Sequence, residues 1–309
     1  MKFIYFLTGI ILLQSCEKKS LNEKEILEII HSNKGYENMN LKKDFFTGDV
    51  FIDTLKTFRK ILNEENFKPI YEADFNNDGK KDYLVNLAYL KISNENDVIK
   101  IHISEDNHST AFLLSENKGY KLLNPGKSQV YEIITSKIIH IKNQPLIKLI
   151  CYNKKFDGTN KIFEFGTLTI KNNELVEYTD NIKKHNIEKI VFTQNGGYSP
   201  SRIYQLTLTE NSTKLHSDYY KNLEGDFSGK HYNEFQKLSK YLNDIDFPKL
   251  SARYSDGCCD HSSVETEIVY NNGKSKKIFD YGEKGTLGLV KFYEMIKKIA
   301  ETENWQKTY

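Results

Sequence analysis

The chain has 309 residues, enough for two domains of roughly 100 to 200 residues each. Lysine plus arginine (44) and aspartate plus glutamate (42) nearly cancel to a formal net charge of +2, so no single-sign field suggests a nucleic-acid partner. The longest apolar run lies at the N-terminus and falls short of the roughly 20 residues that a membrane-spanning helix needs.

Taken in chain order, Met1-Lys2 is followed by the apolar run Phe3 to Leu13 and then by Leu13-Gln14-Ser15-Cys16. One positive charge, a short apolar core and small or neutral residues before a cysteine fit a bacterial lipoprotein signal peptide ending in a lipobox. Residues 1–16 are therefore expected to be the signal and lipobox, with Cys16 lipidated. The acyl chains on Cys16 then anchor the protein to a membrane. Glu17-Lys18-Lys19-Ser20 begins a charged tether that resembles the stretch after the cysteine in Bacteroidota lipoproteins sent to the outer membrane or cell surface. Residues 17–66 read as a polar helical tether. Leu21, Ile26, Ile29 and Ile30 mark one amphipathic stretch, and Leu55, Phe58, Ile61 and Leu62 mark another after Asp53. His31 to Thr47 lacks periodicity and reads as a loop.

Residues 67–180 change texture to short β-rich runs broken by Asn, Gly, Asp and Pro. Strands are expected at Tyr83 to Tyr89, Val98 to Ile103, Ala111 to Leu114, Tyr120 to Leu123, Ile138 to Ile141, Leu146 to Tyr152, Ile162 to Ile170 and Glu174 to Tyr178. Asn117-Lys118-Gly119 and Lys171-Asn172-Asn173 suit the tight turns of a mostly antiparallel sheet. From His185 to the end, strands are expected at Ile187 to Thr193, Arg202 to Thr209, Lys214 to Tyr220, Val264 to Tyr270 and Ser275 to Phe279. Asn271-Asn272-Gly273 marks a hairpin between the last two. Tyr232, Phe235, Leu238 and Leu242 share a face of one helix; Leu289, Phe292, Tyr293, Ile296 and Ile299 form the stripe of another. The fold class expected is α+β: a mostly antiparallel β-domain at 67–180, then an α+β domain at 185–309 with its helices on one sheet face.

Asp74-Phe75-Asn76-Asn77-Asp78-Gly79-Lys80-Lys81-Asp82 carries the most specific chemistry. Side-chain oxygens fall at positions 1, 3, 5 and 9, with glycine at 6. Calcium takes six to eight oxygens at about 2.3 to 2.6 Å, and a tight loop of this spacing supplies them. The same spacing also makes metal-free Asx turns. It is not an EF-hand, because Val85 stands where that motif has a bidentate glutamate and a strand-like run follows Asp82. The loop resembles the D-x-N-x-D-G-x-x-D element of FG-GAP and VCBS-type repeats, here in a single copy. That resemblance implies Asp74, Asn76, Asp78, the Lys80 carbonyl and Asp82 as ligands of a structural calcium ion.

The C-terminal region resembles an uncharacterised domain of bacterial, often Bacteroidota, lipoproteins. The resemblance rests on Gly196, Gly197, Pro200 and Tyr204, on Gly225 to Phe235 and Leu238, on Phe247 to Tyr254, and on the Val264 to Asp280 hairpin. It implies no activity. Asp256-Gly257-Cys258-Cys259-Asp260-His261 gathers thiols, carboxylates and an imidazole. It reads as a surface loop, since neighbouring cysteines rarely both reach one tetrahedral ion. Cys151, Cys258 and Cys259 are odd in number and indicate no particular disulfide. His102 and His140 sit in strand-like runs. The chain lacks G-x-S-x-G, H-E-x-x-H and phosphate-loop signatures.

Together these readings lead to the expectation of a lipid-anchored cell-envelope protein on the outer membrane, serving as a non-enzymatic binding or accessory module for an envelope protein or glycan. The alternatives are an envelope hydrolase using scattered carboxylates and an inhibitor or immunity-type protein.

Overall fold

The computed structural model describes residues 20–42, 67–95, 98–125, 132–154, 161–197, 203–220, 223–229, 232–255, 261–302 and 304–308. The expected signal and Cys16, the expected helix around Leu55 to Leu62, and the Cys258-Cys259 pair lie outside these residues. The architecture is α+β and rich in antiparallel strand.

Helix α1 (Glu23–His31) starts at a capping box. The Asn22 side chain accepts from the Glu25 N–H at 3.0 Å, and the Glu25 carboxylate accepts from the Asn22 N–H at 2.7 Å. After it come β1 (Met39–Leu41), β2 (Ile70–Ala73), β3 (Asp82–Glu95), β4 (Val98–Glu116) and β5 (Gly119–Leu123). They form a sheet in the order β1-β3-β4-β5, with β2 also paired to β3. The region expected as a loop before Thr47 thus contributes β1, an edge strand too short to show a period. Likewise, the runs at Val98 and at Ala111 are one strand, because β3 pairs with β4 through a register shift between Ala88 and Leu90.

Alternation along β3 and β4 sends side chains to two cores. Tyr83, Val85, Leu87, Ala111 and Leu113 pack with Ile26 and Ile30 of α1. Leu84, Phe112 and Leu114 face the other way, toward Ile147, Leu149, Leu168 and Ile170. Those residues belong to a four-stranded meander of β6 (Glu132–Ile141), β7 (Gln144–Lys154), β8 (Lys161–Lys171) and β9 (Glu174–Glu177). Its two-residue turns, Lys142-Asn143 and Asn172-Asn173, all have positive φ, as tight hairpins require. Between the sheets lies Asn86, fully buried. Its oxygen accepts from Thr110 Oγ1 (3.0 Å), Thr135 Oγ1 (3.2 Å), Ser136 N (2.8 Å) and Ser136 Oγ (3.0 Å). Its amide donates to the carbonyls of Lys68 (3.1 Å) and Ser136 (2.9 Å).

The third sheet takes β10 (Ile187–Asn195), β11 (Ile203–Leu208), β12 (Thr213–Tyr220), β13 (Leu223–Gly229), β14 (Arg253–Ser255), β15 (Ser263–Tyr270), β16 (Lys274–Tyr281) and β17 (Gln306–Lys307). Its order is β14-β16-β15-β10-β11-β12-β13-β17, and only the β14–β16 pair is parallel. Helices α2 (Tyr232–Asp244) and α3 (Leu287–Thr302) supply Leu238, Leu242, Leu289, Phe292 and Ile296 to a core shared with Ile190, Phe192, Leu206, Leu215, Val264 and Ile268. Among the described residues no helix is long and apolar enough to cross a membrane.

Candidate functional site

The loop before β3 is wound by its own side chains. Asp74 accepts from the Asp78 N–H (3.1 Å) and the Gly79 N–H (2.8 Å), Asn76 from the Asp78 N–H (3.2 Å), and Asp78 from the Lys80 N–H (2.9 Å). The curl needs left-handed backbone at Asn77 (φ 57°) and Gly79 (φ 79°). Phe75 anchors it, edge-on to Phe112 with ring centres 4.9 Å apart in the core between the two sheets.

Asp82 stands apart from the other three. It is fully buried, and its two oxygens accept from the Phe75 N–H (2.9 Å) and the Ser115 N–H (2.8 Å), bracing the loop to β4. Burial pushes its carboxyl up to about 6, and the charges of Asp78 and Asp74 add to that. In kind the donor set fits a hard cation, since each oxygen that accepts one loop N–H keeps a second lone pair. Asp74, Asn76 and Asp78 share the loop. Asp82 lies behind them, its oxygens already engaged. Among the described residues no group of three or more His, Cys, Asp or Glu side chains is gathered to hold a metal.

A cleft of about 460 Å³ lies where all three sheets' neighbourhoods meet, a size typical of small-ligand sites. One wall is β5, through Lys121, Leu122 and Leu123, with Asn124 following; another is Glu174 and Leu175 of β9. The rest comes from Glu283 and Gly285 ahead of α3, and from Leu287, Val290, Lys291 and Glu294 on it. Lys121 reaches Glu174 at 2.7 Å, and Lys291 reaches Glu174 at 3.3 Å and Glu294 at 3.0 Å. Glu283 holds Lys297 at 2.5 Å. Partial burial disfavours the charge on Lys291, but Glu294 and Glu174 outweigh it and raise its pKa.

The position of α3 in this cleft depends on β9. Both oxygens of Glu177 accept from the first helical N–H groups, Leu287 at 2.7 Å and Gly288 at 3.2 Å. Thr286 adds its hydroxyl, accepting from the Leu289 N–H at 3.1 Å. A carboxylate there satisfies orphan donors and complements the helix dipole. Val176 enters the core of the eight-stranded sheet, and a Cβ on Gly288 would lie 2.7 Å from Ile245 and 3.4 Å from Val176. Close packing of Ile245, just beyond α2, on the start of α3 therefore favours glycine at 288.

Residues 188–300 match the model of a domain of unknown function, DUF6438. No curated protein and no solved structure matches the chain. The matched segment contains α2, strands β11 to β16 and nearly all of β10 and α3, and it leaves out β9, the element that caps α3.

Sequence reasoning brought the loop residues together but missed the cleft. Its charged residues are ordinary surface-type lysines and glutamates from four separate places in the chain. The single clue was Gly285-Thr286-Leu287-Gly288, a glycine-flanked helix start whose cap comes from a residue 110 positions earlier.

Proposed function

We propose that this is a lipid-anchored cell-envelope protein that binds a partner without turning it over. In this reading Cys16 carries the anchor, residues 17–66 form a tether, and residues 67–180 form a mostly antiparallel β-domain. Residues 185–309 form an α+β domain with its helices on one sheet face, and the cleft between the two is the binding site. The loop holds a structural calcium ion through Asp74, Asn76, Asp78, the Lys80 carbonyl and Asp82. Support for the ion is the winding of Asp74, Asn76 and Asp78 around one tight loop, with side-chain oxygens at the spacing a hard cation takes.

One observation carries the binding reading: every carboxylate lining the cleft has an ammonium partner within 3.3 Å. Acid–base catalysis needs two titratable groups with environments pushed apart, whereas matched ion pairs orient a ligand. The test is incubation of the mature chain with envelope glycan and peptide fragments. Saturable binding with no product is expected. Product formation lost in Glu174→Gln would establish the hydrolase alternative in its place.

A further inference from the structure

Strands β5 and β9 are the outer strands of their sheets, and both border the cleft. Lys121, Leu122, Leu123 and Asn124 line it in succession. Side chains alternate across a strand, so a run of successive residues means that β5 presents its edge.

The register says which groups that edge offers. β4 turns into β5 through Asn117-Lys118, with Glu116 opposite Gly119. In a two-residue hairpin the flanking pair exchanges both backbone hydrogen bonds, and the alternation continues down the ladder. Lys121 and Leu123 therefore bond to β4, while Leu122 turns its N–H and C=O outward. Ser115 agrees, because its N–H points to the other side of β4, onto Asp82. The same count from Asn172-Asn173 turns Leu175 outward on β9. Among the described residues no backbone group pairs with Leu122 or Leu175 on that side.

An unpaired edge beside a cleft is a template for an added strand. We propose that the cleft receives an extended, uncharged segment of a partner protein, which pairs along β5 and seats apolar side chains on the far wall. Leu287 and Val290 give alternate side chains an apolar seat. Glu174, Glu283 and Glu294 are matched by Lys121, Lys291 and Lys297, so the walls carry no net charge and an uncharged segment is favoured over a basic or acidic one. This inference rests on the binding reading above and names its partner.

The experiment titrates the mature chain with a short peptide alternating valine and threonine, and with counterparts carrying a central lysine or glutamate. Amide hydrogen exchange is followed alongside. The uncharged peptide should bind most tightly and slow exchange at the Leu122 amide by about tenfold or more, as a new backbone hydrogen bond does. Leu122→Pro removes the outward N–H and leaves the β4 ladder intact, so it should weaken that peptide by about tenfold. Should Leu122→Pro fail to fold, exchange in the unaltered protein decides. Unchanged Leu122 exchange at saturating peptide overturns the proposal, as does no saturable binding. Self-association that protects Leu122 without peptide also overturns it, because the occupant is then a second copy. Protection by glycan fragments alone would remove the peptide and leave the binding reading standing. Cleavage of a peptide docked on Leu122 would remove the non-enzymatic reading and keep the docking edge.

Discussion

Asp280 and Asn86 show how single buried polar residues set local structure. Asp280, fully buried in β16, accepts from the Lys284 N–H at 2.7 Å and the Gly285 N–H at 2.9 Å, shaping the entry to α3. Burial pushes its carboxyl up from the usual carboxylate range, more than those N–H groups pull it down. An unfolded aspartate titrates near pH 3.9, so between that pH and the raised native value the folded protein holds an extra proton. The stability this group contributes is therefore greatest at low pH and is lost as pH rises through its native pKa. Melting temperature followed upward from pH 4 should show that slope together with the one from Asp82, and Asp280→Asn should remove part of it. Asn86 satisfies donors and acceptors from two strands, β4 and β6, and the Lys68 segment at once. Removing it leaves several buried groups unmet, at about 1 to 3 kcal/mol each. Asn86→Ala should lose about 3 kcal/mol or more in urea unfolding; a loss under about 1 kcal/mol would mean water replaces the side chain.

At the scale of elements, α3 and the Asp74 to Asp82 loop make opposite use of the backbone. Gly288 costs helix propensity, about 1 kcal/mol relative to alanine. Yet an alanine Cβ would meet Ile245 at 2.7 Å, and overpacking costs about 1 to 3 kcal/mol, so Gly288→Ala should destabilise despite its better propensity. Glu177→Ala orphans the Leu287 and Gly288 N–H groups and should lose about 1 to 3 kcal/mol. Glu177→Gln keeps one of the two hydrogen bonds, because its amide nitrogen cannot accept, and loses the charge–dipole part of about 0.3 to 1 kcal/mol, so its loss should fall below that of Glu177→Ala. In the loop, calcium at about 100 times its dissociation constant would stabilise by about 2.7 kcal/mol. The mature chain should thus melt several degrees higher with calcium than with chelator, and Asp78→Ala should lose most of that difference. Equal melting in both conditions would leave the Asx turns as the whole of its structure.

For the whole molecule, β9 joins what the chain order separates. Val176 and Glu177 precede the matched segment, yet one fills its core and the other caps its helix. Residues 188–300 expressed alone should melt well below the same segment in the full chain, and a version beginning at Lys171 with the β9 residues should recover part of the loss. Anchoring acts at this scale too. Cys16→Ser protein is expected in the soluble fraction without labelled fatty acid; if it stays with membranes and takes up label, the lipobox reading fails.

Most of the strands and both C-terminal helices follow from the sequence alone, because apolar period, turn asparagines and glycines are local signals. Leu289, Phe292, Tyr293 and Ile296 form a helical stripe wherever the helix packs, and Asn172-Asn173 makes a hairpin whatever lies beyond it. The oxygen spacing of Asp74 to Asp82 is equally local. Only the tertiary structure decided that Asp82 turns inward onto Phe75 and Ser115, because its second donor is 33 residues away. The short strand β1 exists because β3 offers it an edge, and its three residues are too few to show alternation. Likewise, the cleft is made by Lys121, Glu174, Glu283 and Lys291, whose types are those of any solvated surface. What distinguishes them is which sheet edges face each other, and that is fixed by long-range packing.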